Sequence, residues 1–209
     1  MARWEPNARG RLEQAAMELF QERGYVRTTV EEIAARAGLT ERTFFRYFTD
    51  KREVLFSGSS DLQKRMTDAT TDAPEATAPL DAVAAALEAA AAALQQHRDE
   101  SYVRARHALL TAHAELRERE LIKLASLTSA VAQALRKRGV AEPTASLTAE
   151  AGIAVFKVAF ERWVTGTEPR DFSQHVRTVL DELRAVTAGS ARPMEAARRE
   201  SPRRRRTSK

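Results

Sequence analysis

Between positions 12 and 20, Leu12, Ala15, Ala16, Leu19 and Phe20 recur at i, i+3, i+4, i+7 and i+8. That spacing paints one face of an α-helix. The period returns along the chain, and no stretch alternates apolar and polar residues over the length of a strand. Such a chain can bury its apolar atoms only by packing helix on helix. Val30, Ile33, Ala34 and Ala37 make a second, shorter stripe that stops at Gly38, and Thr40 opens a third helix. Residues 51–69 read as a fourth helix and residues 71–79 as a linker. Longer helices are predicted over 80–97, 102–114, 118–138, 143–165 and 171–188. Gly24, Gly139, Gly166 and Pro169 punctuate them, and Asp171 is placed to cap the last. The pattern is all-α, with four short helices before a larger bundle.

Composition narrows the classes. The 209 residues include no cysteine, which excludes disulfides and thiolate metal sites. No run of about 18 apolar residues occurs, so no membrane span is expected. "MARWEPNARG" lacks the apolar centre of a signal peptide, and a cytoplasmic location is the expectation. The net charge of +5 is unevenly spread. Residues 1–56 carry +1, residues 57–188 carry −2 and residues 189–209 carry +6. The basic excess is thus a tail, expected to be solvated and disordered. It either adds affinity for nucleic acid or only solubilises the chain end.

The chemistry concentrates in "TVEEIAARAGLTERTFFRYF", residues 29–48. Of 13 aromatic residues, four (Phe44, Phe45, Tyr47 and Phe48) fall within five positions, beside Arg42 and Arg46. Thr29 and Glu32 have the spacing of a capping box. Gly38 permits a tight turn, and Thr40 can cap the next helix. Two short helices joined in this way form a helix-turn-helix. Phe44 and Phe48, at i and i+4, stack on one side and seat the third helix on a small core with Val30, Ile33 and Phe20. Arg42, Thr43 and Arg46 lie on another face. Phe45 either packs inward or offers its ring to a thymine methyl. Arginine can donate two hydrogen bonds to guanine O6 and N7. The candidate base-reading residues are therefore Arg42, Thr43, Phe45 and Arg46. Thr28, Thr29, Thr40, Tyr47 and Lys51 are candidates for phosphate contacts, which position a protein without choosing sequence.

"TTVEEIAARAGLTERTFFRYFTDKREVL", residues 28–55, resembles the DNA-binding domain of TetR-family transcriptional regulators. Thr29, Ile33, Ala34, Ala37, Gly38, Thr43, Tyr47, Phe48, Lys51 and Leu55 match the family pattern, and "AMELFQERGYVRTT" matches its preceding element. The resemblance implies a three-helix DNA-binding domain over residues 7–56 and a regulatory helical domain over 57–188, followed by the tail at 189–209. It implies a homodimer on a near-palindromic double-stranded operator, most simply a repressor released by a small molecule. In the family the last two helices commonly form the dimer interface. Phe160, Trp163, Val176, Val179 and Leu183 are the candidates here, with an ordinary internal core as the alternative. Tyr102, Arg106, His107 and Phe156 are candidate pocket residues. Arg106 would meet the anionic end of an acyl-CoA-like effector, and solvated surface side chains are the alternative. His107 and His113 are six residues apart and fall on different helix faces, so no metal site is expected. No G-x-S-x-G and no phosphate-cradling glycine loop occurs. No cofactor and no enzymatic activity are expected.

Overall fold

The computed structural model describes residues 7–97, 99–166 and 171–189, with no strand among them. Three helices come first: α1 (Ala8–Arg23), α2 (Val30–Arg36) and α3 (Glu41–Tyr47). A 3₁₀ turn, Glu53–Phe56, leads to α4 (Ser59–Asp72). The remainder is α5 (Pro79–His97), α6 (Glu100–Ala112), α7 (Ala114–Lys137), α8 (Thr144–Thr165) and α9 (Phe172–Thr187). Residues 190–209 and Pro169 lie outside the described residues, and so does nearly all of the basic tail.

Local chemistry fixes most ends. Thr29 and Glu32 form the predicted capping box, with the Glu32 amide donating to Thr29 Oγ1 at 3.2 Å and the Thr29 amide donating to Glu32 Oε2 at 3.0 Å. Asp171 and Gln174 form a second box at α9. Two boundaries differ from expectation. The helix predicted over 51–69 is split near Gly58 into the 3₁₀ turn and α4, and α4 runs into the predicted linker. The gap predicted at 115–117 is helical, because Glu115, Leu116 and Arg117 are good helix formers. Its break is a single extended residue, His113, with φ −122° and ψ 116°. The chain turns there in an elbow between α6 and α7.

Two cores result. The larger joins α4 through α9 around alanine-rich α5, where Ala82, Ala86 and Ala91 are fully buried. Trp163 stacks on Phe172, with ring centroids 5.1 Å apart, and Val176 and Val179 are buried beside them. These three side chains were expected at a dimer interface. They instead fill the protomer's own core, because the inner faces of α8 and α9 turn toward α5 and α6. Phe160 and Leu183 are half-buried against the same core.

The smaller core holds α1–α3 and the 3₁₀ turn together. Leu12, Phe20, Tyr25, Ile33 and Phe44 are all nearly inaccessible there. This core also takes Leu110 from α6 and Leu116 from α7, so the elbow is part of it. Around the elbow, polar ties reinforce the apolar contact. Arg106 Nε donates to the Leu55 carbonyl at 2.6 Å, and its guanidinium lies over the Phe56 ring at 5.3 Å. Glu53 accepts from Arg119 Nε at 2.6 Å and from Lys123 Nζ at 3.0 Å. Burial alone would raise the Glu53 pKa, but these two cations hold it below the ordinary carboxylate value. Arg106 was expected in a ligand pocket. It is instead committed to this junction, with Glu120 3.9 Å away.

Candidate nucleic-acid interface

The turn between α2 and α3 needs Gly38, whose φ is +66°, a conformation that side chains with a Cβ resist. Arg11 of α1 braces it by donating from Nε to the Ala37 carbonyl at 3.0 Å. Arg36 of α2 donates to Glu22 of α1 through both terminal nitrogens, at 2.9 and 2.7 Å. That pair lowers the Glu22 pKa through the hydrogen bond from Arg36. Glu18, one turn earlier on α1, lies 3.4 Å from the same guanidinium.

On α3 the rings divide. Phe44 is completely buried and Phe48 nearly so, with centroids 5.4 Å apart. Phe45 resolves outward at 54% exposure, its ring meeting the buried Phe44 edge to face. Arg42 and Arg46 are exposed. The Arg46 guanidinium lies 4.9 Å from the Tyr47 ring centroid, and Nη2 donates to the Tyr47 hydroxyl at 3.3 Å. Thr43 is half-buried, and its hydroxyl meets that of Thr40 at 3.1 Å. The outward surface is therefore Arg42, Phe45 and Arg46. Two cations flank one apolar ring on a helix seated from behind. This arrangement fits a major groove, where guanine offers acceptors and thymine a methyl group.

The flanking residues separate further. Thr29 and Thr40 are exposed N-caps whose oxygens accept backbone N–H groups, and the Thr40 hydroxyl also pairs with that of Thr43. Tyr47 is partly exposed at the end of α3. Thr28 and Lys51 do not fit the predicted phosphate role. Thr28 is buried, and its hydroxyl donates to the carbonyls of Leu19 and Gly24, at 3.3 and 3.0 Å. Lys51 Nζ donates to the carbonyls of Tyr25, Val26 and Thr28 at 2.9, 3.2 and 3.0 Å, and lies over the Tyr25 ring. An ammonium has three donors, and these carbonyls take all of them. Lys51 is a clamp on the loop before α2.

Tyr25 itself was not singled out in the sequence. It is 1% exposed, meets Phe20 edge to face and lies 5.0 Å from the His113 ring at the elbow. Burial, and then the nearby Glu115 carboxylate, push its phenol pKa well above the ordinary value.

Of the four predicted pocket residues, His107 and Phe156 meet around Phe160, while Arg106 and Tyr102 lie elsewhere. His107 meets Phe160 edge to face at 5.9 Å, and Phe160 stacks on Phe156 at 6.0 Å. Together with Trp163 and Phe172 these form an aromatic group across α6, α8 and α9. Tyr102 instead lines a surface groove of about 590 Å³ with Glu13, Met17 and Ser101. Among the described residues no cluster of three potential metal ligands occurs, and no helix is long and apolar enough to cross a membrane.

A braced helix-turn-helix head carried on a helical bundle defines a class, the DNA-binding transcriptional regulators of bacteria. Residues 13–57 match the family described as bacterial regulatory proteins, tetR family, and residues 77–188 match the MftR C-terminal domain. The chain belongs to the tetR family. Among similar proteins, the transcriptional regulator TcmR of Streptomyces glaucescens is 39% identical over 75 residues. That stretch covers 36% of this chain and 33% of TcmR, so the match spans about a third of that relative's length. FadR of Thermus thermophilus, a repressor solved with lauroyl-CoA, is 24% identical. The match covers 92% of this chain and 100% of that one, with a TM-score of 0.53. SmeT, repressor of a Stenotrophomonas maltophilia efflux pump, was solved with triclosan. It is 22% identical over 86% of this chain and 90% of that one, with a TM-score of 0.62. At these identities the two structures show a common fold.

Proposed function

We propose that the protein is a homodimeric repressor that binds a near-palindromic operator and is released by a small molecule. The outward triad of Arg42, Phe45 and Arg46 carries this reading. The head docks on the bundle through Tyr25, the 3₁₀ turn and the elbow, which leaves the triad free to enter a groove. Arg42 and Arg46 read guanine, and Phe45 reads a thymine methyl. Thr29, Thr40 and Tyr47 donate to phosphates.

A two-fold dimer sets the two α3 helices about 34–36 Å apart for successive major grooves. Leu147, Ala154 and Val158 are exposed on one stripe of α8, with Ala151 half-buried between them, and Val186 is exposed near the end of α9. This outer face, rather than Trp163, Val176 or Val179, is the surface that the partner covers. The effector is best matched to the aromatic group of α6 and α8, hence to an apolar molecule or the acyl part of a larger one. Its lever is the elbow, because shifting α6 or α7 must move a head whose core contains Leu110 and Leu116. A ligand favouring the shifted state then lowers DNA affinity by the same coupling factor.

Selection of bound genomic fragments tests this reading. The expected result is one near-palindromic motif whose affinity falls steeply with salt. Arg46→Ala should cost about 1–3 kcal/mol of discrimination at one base pair per half-site. Equal binding of parent and variant to every duplex would remove Arg46 from the reading face.

A further inference from the structure

Arg42 and Arg46 sit four residues apart on the same surface, but they are not held alike. Arg42 has no hydrogen bond, ion pair or ring contact among the described residues. Arg46 has two restraints, and both come from Tyr47. The ring lies under its guanidinium at 4.9 Å, and the hydroxyl accepts from Nη2 at 3.3 Å. We propose that Tyr47 is a positioning residue that sets the base preference of Arg46, so that the two side chains act as one reader of guanine. This deepens the operator-binding reading and rests on it.

A cation–π contact of this kind spends none of the N–H groups at the guanidinium edge. Guanine O6 and N7 are met by that edge, through two parallel N–H donors. Of the five guanidinium N–H groups, one is spent on the Tyr47 hydroxyl and four remain. Tyr47 thus narrows the orientations of Arg46 without consuming the donors that the base needs. Phe48, the next residue, is 4% exposed, so the end of α3 that carries Tyr47 is anchored in the core. Arg42, without such a ring, must order its long side chain on binding. The structure therefore contains its own control, since Tyr47 should matter for one arginine and not for the other.

The experiment uses the full chain and the duplex recovered by selection, with each base pair of a half-site replaced in turn. Dissociation constants are measured for the parent, Tyr47→Phe, Tyr47→Leu, Arg46→Ala and the double variant Tyr47→Leu/Arg46→Ala. Tyr47→Leu should lower discrimination at the Arg46 base pair roughly two- to fivefold, the scale of an exposed cation–π contact. Discrimination at the Arg42 base pair should stay as in the parent. Tyr47→Phe, which keeps the ring, should retain most of the preference at the Arg46 position even where overall affinity drops through loss of the phosphate donor. In the Arg46→Ala background, Tyr47→Leu should leave discrimination at that position unchanged.

An even loss at all positions, or a position-specific loss that persists without Arg46, overturns the proposal. Should Tyr47→Leu unfold by circular dichroism, Tyr47→Trp replaces it. That variant keeps a ring and should hold the preference, and loss of the preference would overturn the proposal equally. If the parent itself selects no duplex, the operator-binding reading fails. If the parent selects and the variants lose affinity evenly, only the role of Tyr47 fails.

Discussion

Replacing Glu53 by glutamine removes one charge and little volume, at a point where the head meets α7. The carboxylate is 17% exposed and receives Arg119 at 2.6 Å and Lys123 at 3.0 Å. Hydrogen bonds to charged groups contribute about 1.5–3 kcal/mol each, but Arg119 and Lys123 remain partly exposed and can return to water. The net cost of Glu53→Gln should therefore be about 1–2 kcal/mol. For a chain of this size that corresponds to a fall in Tm of roughly 2–8 °C. The pH dependence is more telling than the size. The folded pKa of Glu53 lies below its unfolded value, so its contribution is complete above the unfolded pKa of about 4.3. The contribution is lost as pH falls through the folded pKa. Glutamine has no such transition. The difference in Tm between parent and variant should thus be full at neutral pH and shrink progressively below about pH 4. Calorimetry at pH 7 and in acid, in one buffer series of constant ionic strength, reads both quantities. A gap that keeps its size in acid, or a variant as stable as the parent at neutral pH, would refute the reasoning.

Thr70 is fully buried, and its hydroxyl has no partner among the described residues. Thr70→Val should therefore raise stability by about 1 kcal/mol, read as a higher urea midpoint at unchanged slope. Lys51→Met leaves three carbonyls without their ammonium and should cost about 2–3 kcal/mol in the same titration. A surface phosphate contact would change stability by less than about 0.5 kcal/mol. Gly152 faces Val83 so closely that a Cβ would lie 2.4 Å from Val83 Cγ1. Gly152→Ala should destabilise by about 1–3 kcal/mol, and Val83→Ala in the same chain should recover part of that loss in thermal unfolding.

What the sequence made legible was local. The Thr29–Glu32 box, the pairing of Phe44 with Phe48 and the reach of α5 depend on residues within a turn or two of one another. Reading the outer face of α3 needed only the same helical spacing. Contacts between distant segments were harder to foresee. A lysine after an aromatic pair reads as a surface cation, and nothing local shows that the Tyr25–Thr28 loop will fold back to offer it three carbonyls. The stripe of Trp163, Val176 and Val179 says that a face is buried, but a stripe is silent about whether the covering helix belongs to the same chain. Arg106 was misplaced for a related reason, since its partners Leu55 and Phe56 lie some fifty residues earlier. The break between α6 and α7 was expected at 115–117 and falls at His113, and the packing of that ring against Tyr25 is a contact that no periodicity announces.

Leu110 and Leu116 carry a practical lesson for anyone hoping to regraft the reading head onto another regulator. A cut after the 3₁₀ turn would strip two leucines from the lining of the smaller core and leave Tyr25 without its lid. A working chimera would have to transplant the elbow along with the head. The unit that packs together is therefore discontinuous in sequence, and its second half lies inside what looks like a different domain.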